Sequence, residues 1–111
     1  MISVFILGGL FVILRPDSEE TSPGKRSFDV EIQDGNMKPE LISVHENDRV
    51  RLRVTSDSPV EMHIHGYDLE REIEPDKPIE ISFRAELTGR FPIEDHDTEE
   101  ELGFLVVRPR Q

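Results

Sequence analysis

An alternation of apolar and polar residues begins near Ser27 and recurs to the end of the chain. The clearest example is Arg49–Thr55, where Val50, Leu52 and Val54 alternate with arginines. Successive side chains of a β-strand point to opposite faces, so this pattern predicts strands with one buried and one exposed face. Little of this region shows the 3.6-residue period that is typical of a helix.

Short segments with this pattern recur every 8 to 12 residues or so, separated by turn-forming residues. The segments are Phe28–Ile32, Leu41–Val44, Arg49–Thr55, Val60–Gly66, Ile79–Arg84, Arg90–Ile93 and Leu102–Val107. Such spacing is typical of an antiparallel sandwich or barrel. The sequence therefore predicts an all-β fold, namely a Greek-key β-sandwich or barrel of about seven strands.

The balance of charge excludes several classes of partner. The 111 residues carry a formal net charge of −11, with 24 acidic and 13 basic side chains. Nucleic acid requires a basic face, and attraction to anionic lipid requires the same, so neither is expected as a partner through charge. Cations are the favoured small ligands. The partner protein, if there is one, is not indicated by the sequence.

The chain contains no cysteine, so it can form neither a disulfide nor a thiolate ligand or nucleophile. It also lacks a nucleophile-elbow sequence and a glycine-rich phosphate loop. We therefore do not expect an enzyme.

The amino-terminal segment Ile2–Leu14 is an uninterrupted apolar run. As a helix it would rise only ~20 Å, less than the ~30 Å hydrocarbon core of a bilayer. Its length is that of the apolar part of a signal peptide, although no basic residues precede it and no small-residue cleavage site follows. We expect an N-terminal apolar helix in residues 1–15, either a membrane anchor or a signal whose start lies upstream. The alternative is a buried helix or strand of the domain.

Residues 16–26 are rich in proline, serine, glycine and charge, which is the composition of a linker. The folded domain is then expected over residues 27–111. These assignments predict a membrane-anchored domain outside the cytoplasm, periplasmic or at the cell surface, whose contact with the membrane is made by the N-terminal segment.

Two of the four histidines, His63 and His65, lie within the segment VEMHIHGYD. In a strand they would share one face, ~7 Å apart, while Val60, Met62 and Ile64 would share the other. Two such imidazoles can bind one metal ion only if a third group approaches from another segment. The pair is therefore read either as a metal or polar site, or as a structural remnant of the fold.

The order of motifs along the chain resembles that of the cupredoxin-like domains, small β-sandwiches of the blue-copper type. The resemblance rests on four segments and spans about Phe28 to Arg108. These segments are Pro39–Val50 (PELISVHENDRV), the histidine-bearing stretch HIHGYDLE, Pro75–Phe83 (PDKPIEISF) and Gly89–Asp95 (GRFPIED).

This resemblance implies a copper site, but with altered ligands. Asp95 stands where the family has its copper-binding cysteine, and Glu101 or Leu102 stands where it has the axial methionine. His65, or else His63, matches the first histidine ligand, and His96 could supply the second. A blue-copper centre depends on a cysteine thiolate, so electron transfer of the usual cupredoxin kind is not expected.

Without the cysteine and the methionine, the resemblance implies a site of harder ligands, namely nitrogen and oxygen atoms. These ligands would come from His63, His65, His96 and Asp95. Such a site suits Cu(II), Zn(II) or Ni(II), and copper is favoured by intrinsic affinity. The expected function is copper binding for storage, delivery or sensing. The alternatives are a metal-free structural or protein-interaction module and the accessory domain of an enzyme subunit.

Four other features have simpler interpretations. The run Glu94–Glu101 holds six acids in eight positions, which indicates a solvated loop between the last two strands or a loop that binds a hard cation. Met62 is expected in the core, Met37 at the surface or at a sheet edge, and His45 at the surface.

Overall fold

The computed structural model describes residues 22–110, and this part of the chain folds into nine strands with no helix. The strands are β1 (Lys25–Gln33), β2 (Asn36–Lys38), β3 (Leu41–His45), β4 (Arg49–Ser56), β5 (Val60–Ile64), β6 (Leu69–Ile73), β7 (Ile79–Arg84), β8 (Gly89–Asp95) and β9 (Glu100–Arg108). The all-β prediction is confirmed, and each of the predicted strands is present. The predicted N-terminal helix, anchor or signal and most of the predicted linker lie outside the described residues.

Two sheets pack face to face as a sandwich. One has the strand order β2-β1-β4-β7 and the other the order β3-β9-β8-β5-β6. Within residues 22–110, five of the seven strand pairs are antiparallel, as predicted, whereas β1 pairs with β4 and β3 pairs with β9 in parallel. Parallel neighbours require connections that leave the sheet, and here the chain passes into the other sheet between such strands.

The alternation of the sequence creates the core. In β4 the side chains of Val50, Leu52 and Val54 are each at most 2% exposed, while the arginines between them face solvent. The inward residues of both sheets meet in one apolar cluster that contains Ile32, Ile42, Met62, Ile93 and Leu105. Period-two patterning therefore specifies which face of each strand is buried.

β2 and β6 were not predicted, and each has a physical reason for being missed. β2 has only three residues, too few for a period to show. In β6 only Ile73 is buried, and the polar residues on either side hide the alternation. Met37 lies on β2, the edge strand of its sheet, and pairing of β2 with β1 turns its side chain into the core, where it is 3% exposed. Of the two positions expected for Met37, the edge is therefore confirmed and the surface is wrong. Met62 is buried as predicted, and His45 is exposed.

A buried carboxylate fixes the end of the sandwich where β1 and β4 begin. Asp48 is 1% exposed and accepts hydrogen bonds from the N–H groups of Gly24 (3.0 Å) and His45 (2.9 Å). Arg110 donates to the same carboxylate at 2.6 Å, which holds the last described residues against the domain. The residue that donates to Asp48, Gly24, directly precedes β1, which begins at Lys25.

No helix within residues 22–110 is long and apolar enough to cross a membrane.

Candidate metal centre

The candidate site lies on the solvent-facing side of the five-stranded sheet, where β5 runs between β6 and β8. Met62 and Ile64 of β5 are buried, so the intervening His63 points to the opposite, outer face. His63 is directly opposite Glu70 in β6 and Glu94 in β8. The register of three adjacent strands therefore places carboxylates on both sides of one imidazole.

A third chain segment brings a second imidazole to this face. His96 follows β8 directly, and its backbone N–H donates to the carbonyl of Glu61 at 2.8 Å. Its Nδ1 lies 3.9 Å from Oε1 of Glu70, and its ring stands almost perpendicular to that of His63 with the centroids 5.9 Å apart. One potential ligand atom each from His63, Glu70 and His96 lies within 4.8 Å of the other two. We call these three residues the histidine cluster.

His65 stands beside the histidine cluster. Its ring is tilted by 42° to that of His63, with centroids 4.5 Å apart. Its Nε2 makes a short contact with the carboxylate of Glu94, which orients the imidazole. Its side chain is 42% exposed, so the contact with Glu94 lies at the surface. The structure thus brings His63, His65 and His96 to one face, where the carboxylate of Glu94 contacts His65.

Asp95 lies on the other side of the sheet. It is opposite the buried Met62 in β5 and is only 8% exposed. Its Oδ1 accepts hydrogen bonds from the backbone N–H groups of Glu61 (3.2 Å) and Asp97 (3.1 Å). The structure therefore does not bring Asp95 to the imidazoles. Its carboxylate instead fixes the start of the turn that carries His96.

The charge on this face is negative beyond the cluster itself. The pKa of the Glu61 carboxyl is raised from its usual value by desolvation, then by the nearby charges of Asp97 and Glu70, whereas His96 acts in the opposite direction. Like charges close together favour the protonated form. A bound cation would reduce this repulsion, so the electrostatics of the face favour cation binding.

The acidic run Glu94–Glu101 is mostly not a free loop. Glu94 and Asp95 end β8, and Glu100 and Glu101 begin β9, so only residues 96–99 form the turn. Within it, the N–H of Glu99 donates to the carbonyl of Asp95 at 2.7 Å. The compact turn is what holds His96 over β5.

The loop between β5 and β6 is itself closely packed. Gly66 has φ +84°, and a Cβ added there would lie 2.4 Å from a ring carbon of Phe91. Tyr67 packs edge-on against Phe83 and Phe91, and its hydroxyl donates to the carbonyl of Leu87 at 2.7 Å. This packing fixes the hairpin register that sets His63 opposite Glu70.

Glu70 is the member of the cluster that the sequence interpretation missed. The signal was present in the hairpin: a turn centred on Gly66 and Tyr67 makes Ile64 and Leu69 a pair, and the next pair outward is His63 and Glu70. The mostly polar residues of β6 show no clear alternation, so the sequence does not indicate a strand that would pair with β5.

The model of one protein family, described as a cupredoxin-like domain, matches residues 3–107. This chain belongs to the cupredoxin-like family. The resemblance in the order of motifs is thereby confirmed. The absence of cysteine from the whole sequence excludes the thiolate that defines a blue-copper centre.

Solved structures with the same fold include several copper proteins. The chain superposes on a blue copper oxidase from Nitrosomonas europaea with a TM-score of 0.65 and 25% identity, covering 78% of this chain but only 40% of that one. A copper binding protein in its apo form gives a TM-score of 0.66 at 18% identity, with 78% and 91% covered. The metal binding domain of a Cu(I)-exporting P-type ATPase of Streptococcus pneumoniae gives 0.66 at 14% identity, with 78% and 96% covered.

No curated protein sequence is similar enough to count as a relative. Among the solved structures, the chain spans less than half of the blue copper oxidase and nearly the whole of the two smaller domains.

Proposed function

We propose that this cupredoxin-like domain binds a transition-metal ion, copper, through His63, Glu70 and His96. The observation that carries the proposal is the histidine cluster itself, in which ligand atoms from three separate segments lie within 4.8 Å of one another. The family and the copper proteins among the similar folds support the choice of metal. The role we propose is storage, delivery or sensing rather than electron transfer, because no thiolate is available.

The distances require only a small closure. Three atoms 4.8 Å apart surround a point ~2.8 Å from each, whereas copper or zinc binds imidazole nitrogen at about 2.0 Å, so each ligand moves less than about 1 Å. His96 and Glu70 have side chains that are 59% and 47% exposed, which leaves them room to make this movement. Binding therefore requires side-chain rotation and leaves the sheet unchanged.

The donor set favours Cu(II). Two imidazoles and a carboxylate suit Cu(II) and Zn(II), and Cu(II) stands higher in the order of intrinsic affinity. Cu(I) prefers thiolate and thioether sulfur. Both methionines within residues 22–110, Met37 and Met62, are buried in the core and away from this face. His65 is the nearest further imidazole and would add a third nitrogen if it turned away from Glu94.

Calorimetric titration of the full chain with Cu(II) tests the proposal. We expect the wild-type chain to bind one ion, and His63→Ala to weaken binding by more than about tenfold, since the loss of a direct ligand costs at least as much as the loss of a group that supports one. His45→Ala is the matched control, because His45 is an exposed imidazole on β3, away from the cluster. Its affinity should equal that of the wild type.

The proposal fails if Cu(II) does not bind, or if His45→Ala weakens binding as much as His63→Ala. Absence of binding would favour the metal-free structural or interaction module instead.

We further propose that the domain is anchored to a membrane outside the cytoplasm through its N-terminal segment. The support is the apolar run Ile2–Leu14, followed by a polar stretch with the composition of a linker. Separation of membrane and soluble fractions of cells that produce the chain tests this, and recovery in the cytoplasmic fraction would contradict it.

A further inference from the structure

The outer face of the four-stranded sheet, on the opposite side of the sandwich from the histidine cluster, carries an unusual arrangement of charge. The register of β1, β4 and β7 aligns their outward residues in rows across the sheet. The first row is Lys25, Arg49 and Arg84, and the second is Ser27, Arg51 and Ser82. The first row thus sets three cations side by side, and the second sets one cation between two hydroxyls.

The third row contains acidic residues, which the first two rows lack. There Arg53 stands between Asp29 on β1 and Glu80 on β7, so its charge is balanced by a carboxylate on each side. Cross-strand neighbours of opposite charge stabilise a sheet, whereas like charges directly opposite destabilise it. The same strand therefore carries one compensated arginine and two that have no acidic neighbour across the sheet.

Lys25, Arg49, Arg51 and Arg84, which we call the cationic patch, are all exposed. Among the residues that the structure describes, none of the four takes part in an ion pair. They line one shallow surface groove together with Ser27 and Ser82. In a chain of net charge −11, this clustering is a local excess of positive charge that repels itself in the folded state. An anionic partner would remove that cost.

We propose that the cationic patch docks an acidic segment of a partner protein, bound in an extended conformation along β4. The spacing carries the choice of partner. Arg49 and Arg51 are two residues apart on one strand, which separates them by ~7 Å, and alternate carboxylates of an extended peptide have the same spacing. Lys25 and Arg84 lie one strand to either side, ~5 Å away, and extend the positive surface.

The open shape of the groove also favours a peptide over a small anion. Small-molecule sites are concave and enclose most of their ligand, whereas this surface lies on the flat face of a sheet. A segment with several carboxylates can contact both rows at once, and the hydroxyls of Ser27 and Ser82 can donate to it. The histidine cluster stays accessible, because it lies on the other sheet. This inference goes beyond the proposed metal binding and does not depend on it.

The test is binding of a labelled peptide of alternating glutamate and serine to the full chain at low ionic strength, measured by fluorescence anisotropy. We expect the double variant Arg49→Gln and Arg51→Gln to bind roughly tenfold more weakly, because each exposed charge pair contributes modestly. The control is Arg53→Gln, which removes one positive charge from the same face of the same strand, and Arg49→Gln alone is compared with it charge for charge. The affinity of Arg53→Gln should stay within about twofold of the wild type. Added salt should weaken the binding, since exposed charges are screened.

Several results would overturn the proposal. The peptide could fail to bind the wild type, or Arg53→Gln could weaken binding as much as the double variant, which would indicate attraction without a site. Inorganic tripolyphosphate that competed at a lower concentration than the peptide would point to a small polyanion as ligand. Dimerisation abolished by Arg49→Gln and Arg51→Gln, measured by sedimentation, would show that a second copy of the chain occupies the patch.

Discussion

Replacing Asp48 with alanine is expected to lower the free energy of unfolding by about 3 kcal/mol, because it removes the buried carboxylate that accepts from two backbone N–H groups and pairs with the Arg110 guanidinium. The carboxylate is 1% exposed and accepts from Gly24 and His45, while Arg110 contacts it at 2.6 Å with its own side chain 14% exposed. Urea denaturation of the full chain measures the loss.

The control for this prediction is Asp57→Ala. Asp57 also accepts a backbone hydrogen bond, from Asp34 at 3.1 Å, but at an exposed position. Its loss should cost less than about 1 kcal/mol, since water replaces the carboxylate there. Equal losses for the two variants would show that burial of Asp48 does not matter.

The Asp48 network also predicts a dependence on pH. Burial alone would raise the pKa of Asp48, but hydrogen bonds from Gly24 and His45 and the charges of Arg110 and Arg26 together lower it below its usual value of 3.8. A group whose pKa is lowered by folding stabilises the folded state fully above its unfolded pKa and loses that effect as the pH falls through the folded pKa. The stability difference between wild type and Asp48→Ala should therefore be constant above about pH 5 and shrink below pH 4.

Replacing Gly103 with alanine is expected to lower the free energy of unfolding by about 3 kcal/mol, because a buried methyl group has no space there. A Cβ at this position would lie 2.4 Å from the carbonyl oxygen of Glu40 and 2.5 Å from the terminal methyl of Met37. The methionine can move, but the carbonyl belongs to the backbone and accepts the N–H of Phe104 at 2.8 Å. Accommodating the methyl therefore means separating the segment before β3 from β9.

Gly24→Ala is the matched control for Gly103→Ala. A Cβ at Gly24 meets no atom within 4 Å, and its N–H, which donates to Asp48, is retained in alanine. Its unfolding midpoint in urea should stay within error of the wild type. A similar loss of unfolding free energy in both variants would contradict this prediction. It would mean that replacing any glycine destabilises the domain, whether or not other atoms lie close to it.

Much of the fold could be predicted because the physics that builds it is local. Alternation in β4 fixes which of its residues are buried, and each predicted strand depends on the same rule. Strand pairing is not local in this way. The parallel neighbours β1 and β4 are separated in sequence by two other strands, so no hairpin turn in the sequence indicates that they pair. The antiparallel prediction is therefore wrong for β1 with β4 and for β3 with β9, although it holds for the equally distant pairs β4 with β7 and β5 with β8.

The same distinction between local alternation and strand pairing applies to the residues of the candidate site. His63 could be placed on the outer face from the alternation of β5, whereas His96 is expected there only from the resemblance to the family. Glu70 could not be placed until β6 was known to be a strand. Asp95 was expected with the imidazoles because of the family's cysteine position, yet the alternation of β8 turns it inward with Ile93. The face of the strand on which a residue lies determines what its side chain can contact. A match to a position in a family motif does not determine this.

The most direct test of the copper site is X-ray absorption spectroscopy of the full chain with one equivalent of Cu(II). We expect about two imidazole nitrogens and additional oxygen at roughly 2.0 Å, with no sulfur, and the loss of one imidazole contribution in His63→Ala. A sulfur ligand, or a spectrum that His63→Ala leaves unchanged, would contradict the proposal that the histidine cluster binds copper.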